Sequence, residues 1–191
     1  MTPIHFCQLA VWLPMAATAV AESAGNGASW IQLQQKAGML LQAGDLAAAA
    51  NVLEGGIAAA RRSGDTSESM AVALNDLGTI YHDIGRMPEA ERAYKESIRY
   101  LERRPMAGSK LGNTIGNLAG LRMQMGQLSE SEKLYIEAER VLLLSAGIED
   151  PDVATVLSGL ADVYLETGRL EEARRANSRA VAILSTGGQD S

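Results

Sequence analysis

Gly44, Gly85, Gly126 and Gly168 lie 41, 41 and 42 residues apart, each at the same place in a recurring pattern. The clearest copy carries Leu74, Leu77, Gly78, Tyr81, Gly85 and Ala90. The next clearest carries Leu157, Leu160, Ala161, Tyr164, Gly168 and Ala173, and looser copies cover 33–49 and 115–131. A fixed period of this size constrains the chain to a solenoid, in which no unit buries its apolar face alone and each stacks on its neighbours.

The spacing inside each copy is helical. Leu74, Leu77, Gly78 and Tyr81 fall at i, i+3, i+4 and i+7, one face of an α-helix. A small residue holds the Gly78 position in every copy (Ala37, Ala119, Ala161), which lets a neighbouring helix come close. Ala90, Tyr94 and Ser97 form a second stripe at i, i+4 and i+7, matched by Ser131, Tyr135 and Ala138 and by Ala173, Asn177 and Ala180. The pattern predicts helices over 30–43, 46–61, 67–84, 88–103, 108–125, 129–145, 152–167 and 171–185. Each periodic glycine follows a first helix, where the left-handed position after the cap suits it. Pro88 belongs in a first helical turn, and Asp150-Pro151-Asp152 reads as N-cap, first residue and dipole-facing acid. The pairs Arg61-Arg62, Arg103-Arg104 and Arg174-Arg175 are placed near helix ends, and Glu91 with Lys95 reads as an i, i+4 surface pair.

The x2-Leu-Gly-x2-Tyr…Ala-x3-Tyr spacing resembles the tetratricopeptide repeat. The longer period, the Leu74-Asn75-Asp76-Leu77 string and the 150–157 segment are similar to the repeats of kinesin light chains and their bacterial relatives. The resemblance covers residues 30–186 and implies an all-α, right-handed superhelical solenoid of four helix-turn-helix repeats. Two positions depart from the pattern: Lys36 stands where a core Leu is expected and Asn177 where a Tyr is expected. Both belong to terminal repeats, where a polar residue caps a face that no further repeat covers.

Residues 1–21 contain no Lys, Arg, Asp or Glu, and the apolar run from Ala10 ends in Ala19-Val20-Ala21 before Glu22. This reads as a secretory signal peptide, although basic residues are missing from its start; the alternative is an uncleaved membrane anchor. Cleavage would remove Cys7, the one cysteine, and leave no thiol chemistry. Residues 22–29 read as a flexible spacer and 187–191 as a disordered tail. The localisation expected is periplasmic or extracellular, with membrane contact only if the leader is retained.

Beyond the leader there is a single histidine, His82, so a histidine-based metal site or a Ser-His-Asp triad would have to be built around it alone, and a groove-lining or solvated role is the expected one. No phosphate loop or dinucleotide motif is present. The expectation is a protein without enzymatic activity, cofactor or metal. A net charge of −6 with no basic stripe argues against nucleic acid.

The resemblance implies that the first helix of each repeat lines a concave groove. The groove residues are then Asn75, Asp76, Thr79 and His82 in the second repeat, Asn113, Asn117, Gly120 and Gln124 in the third, and Ser158, Asp162 and Glu166 in the fourth. The Lys and Asn clamp with which some members of the family grip a carboxyl terminus lacks its Lys here. Asparagine amides pair with both N–H and C=O of a peptide, and the acids favour a neutral or basic segment. Gly112, Gly116 and Gly120 form a row of small residues, read as close packing in preference to room for a ligand backbone. The function expected is a protein-interaction scaffold holding a partner's peptide or helix in the groove. The alternative is a structural element of the cell envelope that self-associates through a poorly capped end.

Overall fold

The computed structural model describes residues 29–186. The expected leader over 1–21, most of the spacer and the tail over 187–191 lie outside the described residues. Among the described residues eight helices follow one another: α1 (Trp30–Gln42), α2 (Leu46–Ser63), α3 (Glu68–Asp83), α4 (Met87–Leu101), α5 (Gly108–Gln124), α6 (Leu128–Ser145), α7 (Pro151–Glu166) and α8 (Leu170–Thr186). Each begins and ends within two residues of its expected place. Among the described residues no helix is long and apolar enough to cross a membrane.

Local chemistry sets the ends. Ser29, the last residue of the expected spacer, is the N-cap of α1 and forms a capping box with Gln32. Asp45, Ser67 and Asp150 cap α2, α3 and α7 through their side chains. The four periodic glycines have φ between +72° and +78°. At each, the next residue's N–H closes a bond to a carbonyl five residues back: Asp45 to Leu40, Arg86 to Tyr81, Gln127 to Arg122 and Arg169 to Tyr164. This double-bonded left-handed turn folds each first helix back on its second. Arg174 and Arg175 depart from expectation: they lie in the second turn of α8, where Arg174 pairs with Glu171 at 2.8 Å.

The hairpins α1–α2, α3–α4, α5–α6 and α7–α8 stack in chain order, and the first helices also meet one another from α1 to α3 to α5 to α7. Two large apolar clusters run through the stack, Trp30 to Leu121 and Ile115 to Ile183, and Ile98 and Leu134 touch both. Within a hairpin the small positions work as the pattern requires. A Cβ on Gly78 would stand 2.6 Å from the Tyr94 ring, so only glycine admits that ring. Buried serine hydroxyls tie second helices to first: Ser97 donates to the Ala71 carbonyl at 2.7 Å and Ser131 to that of Ala119 at 2.8 Å.

The polar departures fall where expected. Leu77, Leu118 and Leu160 are buried, while Lys36 at the same register is exposed. Tyr94 and Tyr135 are buried, while Asn177 is exposed. Burying a large apolar side chain such as leucine contributes about 1.5–3 kcal/mol, which an exposed terminal position cannot collect.

Candidate functional site

The groove residues sit on α3, α5 and α7, and the structure brings one group of them together. The Asn117 amide on α5 donates to Oδ1 of Asn75 on α3 at 3.0 Å. Asn75 in turn hydrogen-bonds Asp76. Burial pushes the Asp76 carboxyl up to about 6, against that hydrogen bond, which pulls it down. One step along, Asn113 on α5 donates to Asp152 on α7 at 2.6 Å. The result is a row of amides and carboxylates across three successive first helices. Asp152 is a member the sequence did not place there, because its position in the first turn of α7 already explained an acid.

Other candidates are occupied within the fold. The Thr79 hydroxyl donates to the Asn75 carbonyl at 3.3 Å and accepts from the Tyr94 hydroxyl at 3.2 Å. Ser158 bonds back to the Ala154 carbonyl at 3.0 Å. Gly120 is packing, not open floor: a Cβ there would stand 3.3 Å from the Tyr135 hydroxyl. The rest of the glycine row answers the same way. A Cβ on Gly112 would meet Leu142 at 2.6 Å, and one on Gly116 would meet Val156 at 3.2 Å. Close packing explains why these positions forgo the roughly 0.8–1 kcal/mol by which Ala exceeds Gly in a helix.

Gln124, Asp162 and Glu166 are exposed. His82 is partly buried, and its Nε2 is buried with no hydrogen-bond partner. Beside it, burial raises the Asp83 carboxyl and the His82 charge lowers it, with a net upward shift. None of the groove residues is basic. Arg122, on α5, is turned to carboxylates instead, reaching Glu91 at 2.6 Å and Glu130 at 3.3 Å. Elsewhere Tyr81 and Tyr164 hold the Arg122 register and are stacked by Arg86 at 4.5 Å and Arg169 at 4.4 Å. Among the described residues, no cluster of His, Cys, Asp and Glu is arranged to hold a metal ion.

Stacked helix hairpins with a polar row along their first helices define a helical-repeat scaffold. A tetratricopeptide repeat model matches residues 28–103 and 110–186, so the chain belongs to the tetratricopeptide repeat family. Its repeats are of the kinesin-light-chain-like type. The chain is 27% identical over 134 residues to Protein KINESIN LIGHT CHAIN-RELATED 1 of Arabidopsis thaliana, covering 67% of this chain and 21% of that protein. It is 27% identical over 111 residues to KINESIN LIGHT CHAIN-RELATED 3 of the same plant, covering 56% of this chain and 17% of that one. The chain thus spans about a fifth of the curated relatives it matches. Among solved structures, BtubC (BKLC) from P. vanneervenii superposes with a TM-score of 0.76 at 20% identity, over 85% of this chain and 65% of that one. A Podosopora anserina kinesin light chain of nearly identical TPR-like repeats superposes with a TM-score of 0.66 at 18% identity, over 85% and 77%. Repeats of this family mediate protein–protein interaction, and the fold is that of a non-enzymatic scaffold.

Proposed function

We propose that this chain is a protein-interaction scaffold, without enzymatic activity, that holds a neutral or basic segment of a partner along α3, α5 and α7. The observation that carries this reading is the row from Asp76 through Asn75 and Asn117, which presents amides and a carboxyl on neighbouring helices with no cation among them. Amides read an extended backbone or a helix end without regard to side chains, and Asp76, Asp162 and Glu166 select for positive or neutral neighbours. A leader that exports the chain would put this recognition in the periplasm or outside the cell.

The test is binding to an array of 15-residue peptides graded from net −4 to net +4. Binding should rise with positive charge. For the best peptide, Asn117→Ala should weaken affinity by about 1 kcal/mol, roughly fivefold, as for one lost hydrogen bond. Circular dichroism checks that the helices persist. Preference for acidic peptides, or unchanged affinity in Asn117→Ala, would sink the proposal.

A further inference from the structure

The two ends of the stack expose the two halves of one interface. Where one repeat meets the next inside the chain, the first helix of the later repeat buries three registers. On α3 these are Ala73, Leu77 and Ile80; on α5, Thr114, Leu118 and Leu121, all 5% exposed or less. On α1 the same registers are Gln32, Lys36 and Met39, all exposed, Met39 at 72%. The earlier repeat presents a matching trio on its second helix: Leu53, Ile57 and Ala60 on α2, each 2% exposed or less, and Tyr94, Ile98 and Leu101 on α4, of which only Ile98 is partly exposed; on α6 the middle register is Glu139, paired with Arg179. On α8 that trio is Asn177, Val181 and Leu184, with Val181 66% exposed and Leu184 58%. Arg174, Asn177, Ser178 and Val181 line a depression of about 430 Å³ there.

The polar residues at the two ends are complementary. Leu118, at the Lys36 register, shares a buried cluster with Tyr94 of the preceding repeat, and Leu160 does so with Tyr135. A copy continuing the stack would therefore bring its Lys36 to the Asn177 register of the copy before it. Inside the chain the Tyr94 hydroxyl at this register touches Thr79 at 3.2 Å, and the Thr79 register in the last repeat is Asp162. An ammonium thus arrives beside an amide oxygen and a carboxylate, with Met39 meeting the apolar stripe.

We propose that copies of this chain stack head to tail, the outer face of α1 on one copy seated on the outer face of α8 on the next, with Lys36 against Asn177 and Asp162. Such a contact joins unlike surfaces, so it extends instead of closing at two. The polar residues that blunt each end also fix the register of the contact and keep it reversible.

Sedimentation velocity of the full chain over a range of concentrations tests this. The expected result is a weight-average mass that rises past the dimer. Met39→Glu and Val181→Glu change exposed positions, so their circular dichroism should match that of the parent, and each alone should be monomeric. Mixed in equal amounts they should form a dimer and nothing larger, since one copy keeps an intact α8 face and the other an intact α1 face. Lys36→Glu should weaken association at least tenfold. A monomer at every concentration would mean that each chain covers its own ends and would overturn the proposal. So would a closed dimer that survives Met39→Glu, which would assign the contact to two α8 faces, or unchanged association in Lys36→Glu.

Discussion

The contact from α3 to α5 and the contact from α5 to α7 occupy the same registers in successive repeats and are closed by opposite chemistry. At the first, Asn75 and Asn117 join through a 3.0 Å hydrogen bond with the Asp76 carboxyl alongside. At the second, the equivalent residues are Gly116 and Gly159. There Val156 packs against Gly116, and a Cβ on Gly159 would stand 2.6 Å from Cε1 of the Tyr135 ring. The same backbone geometry thus accepts a polar link or an aromatic plug. The difference teaches that the concave face is not uniform: at this register an amide pair joins the second and third repeats, whereas an aromatic plug separates the third and fourth, whose polar link is displaced to Asn113 and Asp152.

That comparison can be broken most severely by removing the plug. Tyr135→Ala should cost about 3–5 kcal/mol in urea denaturation, as for other buried aromatics cut to alanine. A loss below about 1 kcal/mol would show that the glycines are not held apart by the ring. Gly159→Val asks the same question from the other side. Its Cβ falls inside the Tyr135 ring, and overpacking of this kind costs about 1–3 kcal/mol. No change in melting temperature would mean the ring simply swings away.

The polar contact has a subtler signature. The Asp76 carboxyl moves from 3.8 to about 6 on folding because burial disfavours its charge. A raised acid ionises first in the unfolded chain. Its contribution to stability is therefore full below about pH 4, falls as pH rises towards 6, and is flat above. The effect is on the order of 1–3 kcal/mol. Subtracting the Asp76→Asn urea profile from the parent's isolates it. Coincident profiles from pH 4 to 7 would show that burial does not disfavour the Asp76 charge. The same subtraction at the second contact should give nothing, since the equivalent residues Asn117 and Gly159 do not titrate.

Helices and turns were legible because their signals are local. A glycine after a first helix, a proline in a first turn and an acid before Pro151 each act within a few residues of themselves. The lining of the groove was legible only as a set of registers. That Asn117 reaches Asn75 depends on how α5 settles against α3, 42 residues away, and no spacing within one helix reports it. Asp152 was hidden by doing two things at once, since a dipole-facing acid at the start of α7 needs no second explanation. Gly120 stood in both readings, groove and packing, for the converse reason. An absent side chain looks the same in sequence whether it makes way for a ligand or for Tyr135. The arginine stacks on Tyr81 and Tyr164 carry a readable signal, Tyr followed five residues later by Arg across the glycine turn.

The left-handed turns at Gly44, Gly85, Gly126 and Gly168 have a kinetic consequence. Each closes its hairpin with bonds spanning five residues or fewer, so the first structure to form needs almost no loop closure. Chains dominated by such short-range contacts fold fast, and repeat arrays propagate order from whichever unit forms first. Among the described residues, the hairpins α3–α4 and α5–α6 have a neighbour on both sides, whereas α1–α2 and α7–α8 have one. Amide hydrogens should therefore exchange slowest in α3 to α6 and fastest in α1 and α8, with the array fraying inward before it unfolds.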